Sequence, residues 1–183
     1  MMMRTLYLGS ALAVCGGVVV YAQNIDTVSP LLGFYKAGVL CAIEGGVVRD
    51  APNTVAGSTH VVEDAPPFVS EGRLVPAVIG VGFGVRAGIQ GTLGQDNVVM
   101  TVTHPPLIGN GQTKQSFSTS IGAELTPGIT FYQFDYPYEL ALGDWTMTAR
   151  SNGVTYYETT FTVVPPETLP ELASVCGYTD LFS

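Results

Sequence analysis

Basic residues are scarce in this sequence: Lys and Arg together number 7, against 15 Asp and Glu, in a chain of 183 residues with net charge −8. A nucleic-acid surface needs Lys and Arg ranged along one face, so that class of function is excluded. The same deficit disfavours attraction to anionic lipid headgroups. Acidity of this kind keeps a protein soluble and its copies apart. Sustained helical periodicity is also missing, which rules against a doubly wound fold. There is no Cys-x-x-Cys pair, no Gly-x-Ser-x-Gly elbow and no His-Glu-x-x-His, and only 2 histidines are present. Helix-rich proteins carry fewer glycines and prolines than the Gly 22 and Pro 12 found here, numbers that suit a loop-rich β protein. One domain is the natural organisation at this length.

A long hydrophobic run occurs once, at the start. Arg4 is followed by an uncharged, mostly apolar stretch from Leu6 to Ala22. It is shorter than the roughly 20 residues of a comfortable membrane span and ends in Val20-Tyr21-Ala22, a signal-peptidase pattern. Residues 1–22 therefore read as a cleaved signal peptide, and the chain as periplasmic or secreted with no span left after cleavage. Val14 stands where a lipoprotein box has a small residue, so Cys15 is part of the discarded leader. Two cysteines remain, Cys41 and Cys176. In an oxidising compartment they have one possible intrachain pairing, a disulfide joining the start of the mature chain to its end.

The stretch that organises the rest is Ile79 to Leu93. Ile79, Val81, Phe83, Val85, Ala87 and Ile89 alternate with Gly80, Gly82, Gly84, Arg86 and Gly88. That period of two is a strand with one face in a core, and its glycine face reads as bare and open to a partner. Gly33 to Val48 reads as a broken strand or hairpin, and Arg49 to Ser70 as a long surface connection. Further strands are expected over Val98–Thr103, Gln115–Ile121, Ile129–Asp135, Trp145–Arg150 and Val154–Val164. Asn152-Gly153 is a tight hairpin signal between the last two. Pro165-Pro166 closes the series, and a short helix follows at Leu169 to Val175 with Gly177 as its stop. Short strands with Gly and Pro punctuation and one buried Trp predict an all-β, immunoglobulin-like antiparallel sandwich, with an irregular N-terminal segment and a short C-terminal helix or tail. The expected organisation is signal peptide 1–22, N-terminal strand and linker 23–76, sandwich 77–164, and tail 165–183 tied back by the disulfide.

Little in the pattern carries chemistry. Gly82 to Ala87 has the letters of a dinucleotide fingerprint, but its glycines lie inside the strand alternation, where no helix opens toward a phosphate. His104 precedes Pro105 in a loop, which exposes it as a contact, ligand or base. A copper site of His104 with Met100 and Met147 fails because both methionines have inward parity. Asp135, Glu139 and Asp144 lack a calcium-loop spacing and read as caps of strand-end turns. Tyrosines are abundant late in the chain, and Tyr136, Tyr138 and Tyr156, with His104, are the candidates for a contact surface. No cofactor is implied.

Several stretches together resemble a bacterial family known as domain-of-unknown-function family 3859. They are Val75-Pro76-Ala77 with Gly82-Phe83-Gly84-Val85, then Val102-Thr103-His104-Pro105-Pro106. Phe134-Asp135-Tyr136-Pro137-Tyr138-Glu139-Leu140 follows with Gly143-Asp144-Trp145-Thr146, and Phe161-Thr162-Val163 closes the pattern. Cys41 and Cys176-Gly177-Tyr178-Thr179-Asp180-Leu181 resemble an exported subgroup. The resemblance covers about Val75 to Val164 and implies an exported β-sandwich, with no activity, substrate or catalytic residue. The expected function is a non-enzymatic module that binds another envelope protein through a sheet edge or strand-end loops. The alternatives are a small-ligand or carbohydrate binder using exposed tyrosines, and a metal-dependent enzyme built on His104 with Asp135 or Asp144. The leader gives the first test. The exported protein's intact mass should match a chain beginning at Gln23, as such or cyclised to pyroglutamate, and a lipid-bearing Cys15 at its N-terminus would refute cleavage after Ala22.

Overall fold

The computed structural model describes residues 26–177, apart from residues 44 and 63. The signal peptide expected over residues 1–22 lies outside the described residues, as does the end of the chain after Gly177. In chain order the strands are β1 (Thr27–Val28), β2 (Leu32–Cys41), β3 (Val47–Asp50), β4 (Ser58–Val61), β5 (Leu74–Pro76) and β6 (Val81–Ile89). They continue with β7 (Gln95–Thr103), β8 (Lys114–Ala123), β9 (Gly128–Gln133), β10 (Gly143–Ser151) and β11 (Val154–Val164). One short helix, α1 (Pro170–Val175), ends the described chain, with Gly177 at φ +91° just past it. The helix and its glycine stop fall where the sequence placed them.

Nine strands form one mixed sheet that curls into two facing halves, while β3 and β4 form a separate ribbon. The first half runs β1-β11-β10-β7-β8 with antiparallel neighbours. In the second half β6 lies antiparallel between β2 and β9. β8 belongs to both halves, because its end turns to pair parallel with β6 at Gly88↔Gly122 and Ile89↔Ala123. Side chains of the two inner faces meet in between. Val98, Met100, Val102, Trp145, Met147, Ala149, Tyr157, Phe161 and Val163 come from the first half, and Val39, Val81, Phe83, Val85 and Ala87 from the second, all buried. The all-β sandwich is thus as expected, with two parallel pairings added, β6–β8 and β5–β11.

Period two delivered the inner face of β10 without error, since Trp145, Met147 and Ala149 are all 0% exposed. The β10–β11 turn is as predicted: Asn152 and Gly153 both have positive φ, 49° and 81°, the pattern of a type I′ hairpin whose twist matches its strands. Around β6 and β2 the outcome differs in part. The strand starts at Val81, because Gly80 at φ +88° turns the chain and leaves Ile79 43% exposed. The stretch Gly33 to Val48 is broken, β2 ending at Cys41 and β3 beginning at Val47, but its two parts join different sheets and make no hairpin with each other. The glycine face of β6 is not bare. A Cβ on Gly82 would stand 2.8 Å from both Leu40 Cδ1 and the Tyr132 carbonyl, and one on Gly84 would collide with Phe131 and Thr130 of β9. The absent side chains let the protein's own neighbouring strands close in, so no room is left for a partner.

The N-terminal third is also more than a linker. β1 and β5 lie in succession along the same edge of β11, and β2 completes the second half, so the sandwich includes strands that precede residue 77. The 49–70 connection contains the β3–β4 ribbon, and its end folds back over the sheet. There Arg86 donates to the carbonyls of Ala65 and Pro66 at 3.1 and 3.2 Å, and Val39 exchanges backbone bonds with Val69 and Ser70. Arg73 fixes the entry to β5: its guanidinium pairs with Asp26 at 2.6 Å, donates to the Ala37 carbonyl at 2.8 Å, and lies over the Phe161 ring.

Cys41, at the end of β2, is bonded to Cys176, just past α1, with Cα atoms 5.1 Å apart. The bond closes a loop with a sequence separation of 135, a size for which chain entropy alone gives about 5 kcal/mol of stabilisation. Ala173 of α1 is fully buried, so the bond holds a docked helix as well as the strand end. Replacing both cysteines with Ser should therefore loosen residues near Cys41 and over 170–177 in hydrogen exchange, while β6, β10 and β11 stay protected. Uniform loss of protection across all strands would show that the bond supports the whole core instead.

Candidate functional site

One end of the sandwich gathers most of the residues that the sequence singled out. β7 stops at His104 because Pro105 and Pro106 have no N–H to continue a ladder. The loop that follows closes on itself: Leu107 is 2% exposed and acts as its plug, donating to the Gln112 carbonyl and accepting from Gly111 N–H. Opposite, β9 leads into a single 3₁₀ turn, Pro137–Glu139. The two loops are joined where Ile108 N–H donates to the Tyr138 carbonyl at 3.2 Å.

Between them lies a buried polar chain. Glu139 turns its carboxylate inward and accepts from the backbone N–H groups of Asp135 and Tyr136 at 2.8 and 2.9 Å. The Tyr132 hydroxyl donates to the same carboxylate at 2.7 Å. The Gln115 amide donates to the Tyr132 oxygen at 3.2 Å and lies 3.3 Å from His104 Nε2, while its carbonyl accepts from Val55 N–H at 2.9 Å. His104 Nδ1 is 2.9 Å from the Pro105 carbonyl. That carbonyl requires a proton on Nδ1, which leaves Nε2 unprotonated to accept from Gln115, so the ring is neutral. The imidazole is stacked on the Trp145 indole, with centroids 4.5 Å apart.

The electrostatics follow from burial. Desolvation lowers the His104 pKa, with the Pro105 carbonyl opposing. Burial raises Glu139 from its ordinary range although the Tyr132 hydroxyl and two N–H groups favour its anion. Burial first, and the Glu139 charge second, push the Tyr132 hydroxyl far up, so it stays protonated as a donor.

His104 is therefore not the exposed contact, ligand or base that its loop position suggested: it is 6% exposed, and both ring nitrogens are engaged. Tyr156 is likewise displaced from the expected surface. The β10–β11 register slips between Ala149↔Tyr157 and Arg150↔Thr155, so Tyr156 is the extra residue of a bulge. A bulge breaks strict alternation, and Tyr156 and Tyr157 are both buried. The Tyr156 hydroxyl donates to Gln95 Oε1 at 3.2 Å. Asp135 accepts from Gln133 just past β9, while Asp144, read as a turn cap, instead lies in β10 and accepts from its cross-strand neighbour Thr162, and no three His, Cys, Asp or Glu side chains converge on a metal position among the described residues. Glu139 does cap a turn, as read. Its bond to Tyr132, and through that hydroxyl the connection to Gln115, does not show in the local spacing. The clue to the cap lay in Glu139 standing three residues after Tyr136, with Pro137 at the first position of the turn.

Of the four residues expected at the surface, Tyr136 alone is exposed, and Tyr138 is half-buried, packed against the core on its inner side. Their rings are stacked 5.3 Å apart at 5°. Tyr136 is 50% exposed, and Ile108 and Leu142 on the same two loops are 66% and 51% exposed. The inner chain holds the loops rigid while their outer side presents aromatic and aliphatic groups to solvent.

Comparison with known proteins adds the following. The family model described as "Domain of unknown function (DUF3859)" matches residues 28–163, so it takes in β1 and β2 as well as the later strands. No curated protein matches the chain. Among solved structures, the chain is similar to an immunoglobulin-like protein from Pseudomonas aeruginosa, at 18% identity and a TM-score of 0.48, covering 79% of this chain and 100% of that one.

The buried imidazole sets a pH dependence. Its folded pKa lies below the ordinary 6.5, so its contribution to stability is complete above pH 6.5 and is lost as pH falls toward the folded value. Glu139 acts in the opposite sense, because its folded pKa is raised above 4.5 and the folded state takes up a proton before the unfolded chain does. Denaturant unfolding should show stability declining as pH drops below 6.5. In His104→Phe, which keeps a ring on Trp145, that decline should disappear. An unchanged pH profile in the variant would mean that His104 is not the titrating group.

Proposed function

The chain belongs to the domain-of-unknown-function family DUF3859, and from that premise we propose that it is a non-enzymatic interaction module of the cell envelope. It binds a partner protein through the strand-end loops that carry Tyr136 and Tyr138. The observation that carries this reading is the stacked pair of exposed Tyr136 and half-buried Tyr138, tied to the loop of exposed Ile108 by the bond from Ile108 N–H to the Tyr138 carbonyl. Tyrosine offers large contact area and a polar tip at low entropy cost, which suits a contact surface. The rigid support beneath, from Glu139 to Tyr132 and Gln115, lowers the ordering cost of binding. An exported location is supported by the Cys41–Cys176 bond, which suits an oxidising compartment. Among the described residues no helix is long and apolar enough to cross a membrane. The sheet-edge route is less favoured, since Val69 and Ser70 already bond to Val39 on the β2 edge. A His104-centred enzyme is disfavoured by the burial of its ring. A second reading, a sugar stacked on the exposed Tyr136 face, draws on the same pair.

A photoreactive benzoylphenylalanine placed at Tyr136 should give one discrete protein adduct on irradiation of intact envelopes. The same group at Thr148, on the outer face of β10, should give none. Absence of an adduct at position 136, with a glycan recovered on the purified protein, would favour the second reading instead.

A further inference from the structure

The chemistry around the tyrosine pair narrows the kind of partner. The loops over 104–113 and 134–144 contain Asp135, Glu139 and Asp144 and neither Lys nor Arg. Glu139 is turned inward, while Asp135 and Asp144 are exposed. The local potential is therefore negative. It registers on Tyr138, whose hydroxyl pKa is raised by burial and then by the charges of Glu139 and Asp135 and by Tyr136. The faces of the stacked rings of Tyr136 and Tyr138 are themselves the negative ends of their quadrupoles.

We propose that the partner presents an arginine within an apolar segment, the guanidinium stacking on the Tyr136–Tyr138 pair beside Asp135 and the apolar residues covering Ile108 and Leu142. This rests on the reading that this end of the sandwich binds a protein. Each part has its own reason. A cation over a tyrosine face is attracted by the ring, and a planar guanidinium stacks where an ammonium does not. An anionic segment meets carboxylates here with no base in either loop to answer it. A wholly polar cationic segment leaves Ile108 and Leu142, 66% and 51% exposed, in water.

Three fluorescent peptides of equal length test this against the disulfide-bonded exported protein: one of Arg and Leu, one of Glu and Leu, one of Arg and Ser. Net charge alone attracts any cationic peptide, so the decisive comparison uses variants that leave charge unchanged. The Arg/Leu peptide should bind more tightly than the other two. Its binding should weaken about tenfold in Tyr136→Ser/Tyr138→Ser, an effect of the size expected for truncating an aromatic anchor. Tyr136→Ser alone, at the more exposed ring, serves where the double variant unfolds, and should weaken binding in the same direction. Asp135→Asn should weaken it at low salt only. Equal binding by the wild-type and tyrosine variants, or a preference for the Glu/Leu peptide, overturns the proposal. A discrete photo-adduct at position 136 together with no preference for Arg/Leu would leave the interaction surface standing and remove the arginine-bearing partner. Loss of the adduct with peptide preference intact would strike at the envelope-protein reading instead.

Discussion

The fold depends on the contact that Phe83 makes across the curled sheet. Its ring lies 4.8 Å from Phe161 and 5.8 Å from both Trp145 and Phe134, with Tyr132 at 5.9 Å. Phe83 sits on the central strand of one half, and Trp145 and Phe161 on neighbouring strands of the other. Tilted and edge-to-face rings at these separations add about 0.5–1.5 kcal/mol per pair beyond the area they bury. Each half of the sheet thereby acquires a fixed partner for its inner face. Truncation of Phe83 would remove four ring contacts at once.

That contact needs the strands of its own half drawn tightly around it. The glycines of β6 supply the means, because without side chains they admit β9 and Leu40 to distances that a Cβ forbids. The same residues that looked like an open face are thus the reason that the face is closed. Arg86 adds a clamp by holding the Ala65 and Pro66 carbonyls over the sheet. Its Nε, like the Arg73 Nε and Asp26 Oδ1, has no hydrogen-bond partner. These orphaned atoms sit beside strong bonds made by the same side chains, and such a cost is tolerated where a guanidinium ties separate segments together.

At the loop end, polar groups replace rings as the organising element. His104 joins the aromatic cluster through Trp145 and the polar chain through Gln115, so core and loops are coupled at one residue. Glu139 performs the complementary task at the far side, where a single carboxylate satisfies two backbone donors and a phenol. Loops built on such a base are already ordered in the free protein, the condition that the proposed contact surface requires.

Much of this was legible in the order of residues. Alternation placed the inner faces of β6, β7, β10 and β11, because period two is a local property of an extended chain packed on one side. Asn152-Gly153 announced its turn, since backbone preference for positive φ is also local. With Cys15 read as part of the leader, the Cys41–Cys176 pairing was the one intrachain bond left. The glycine face, the burial of Tyr156 and the partners of His104 could not be read in the same way. Each depends on a neighbour distant in sequence: β9 across Gly84, a bulge opposite Ala149, and Gln115 and Trp145 around the imidazole. Local spacing says which way a side chain points from its own strand, and only the folded arrangement says what stands there to meet it.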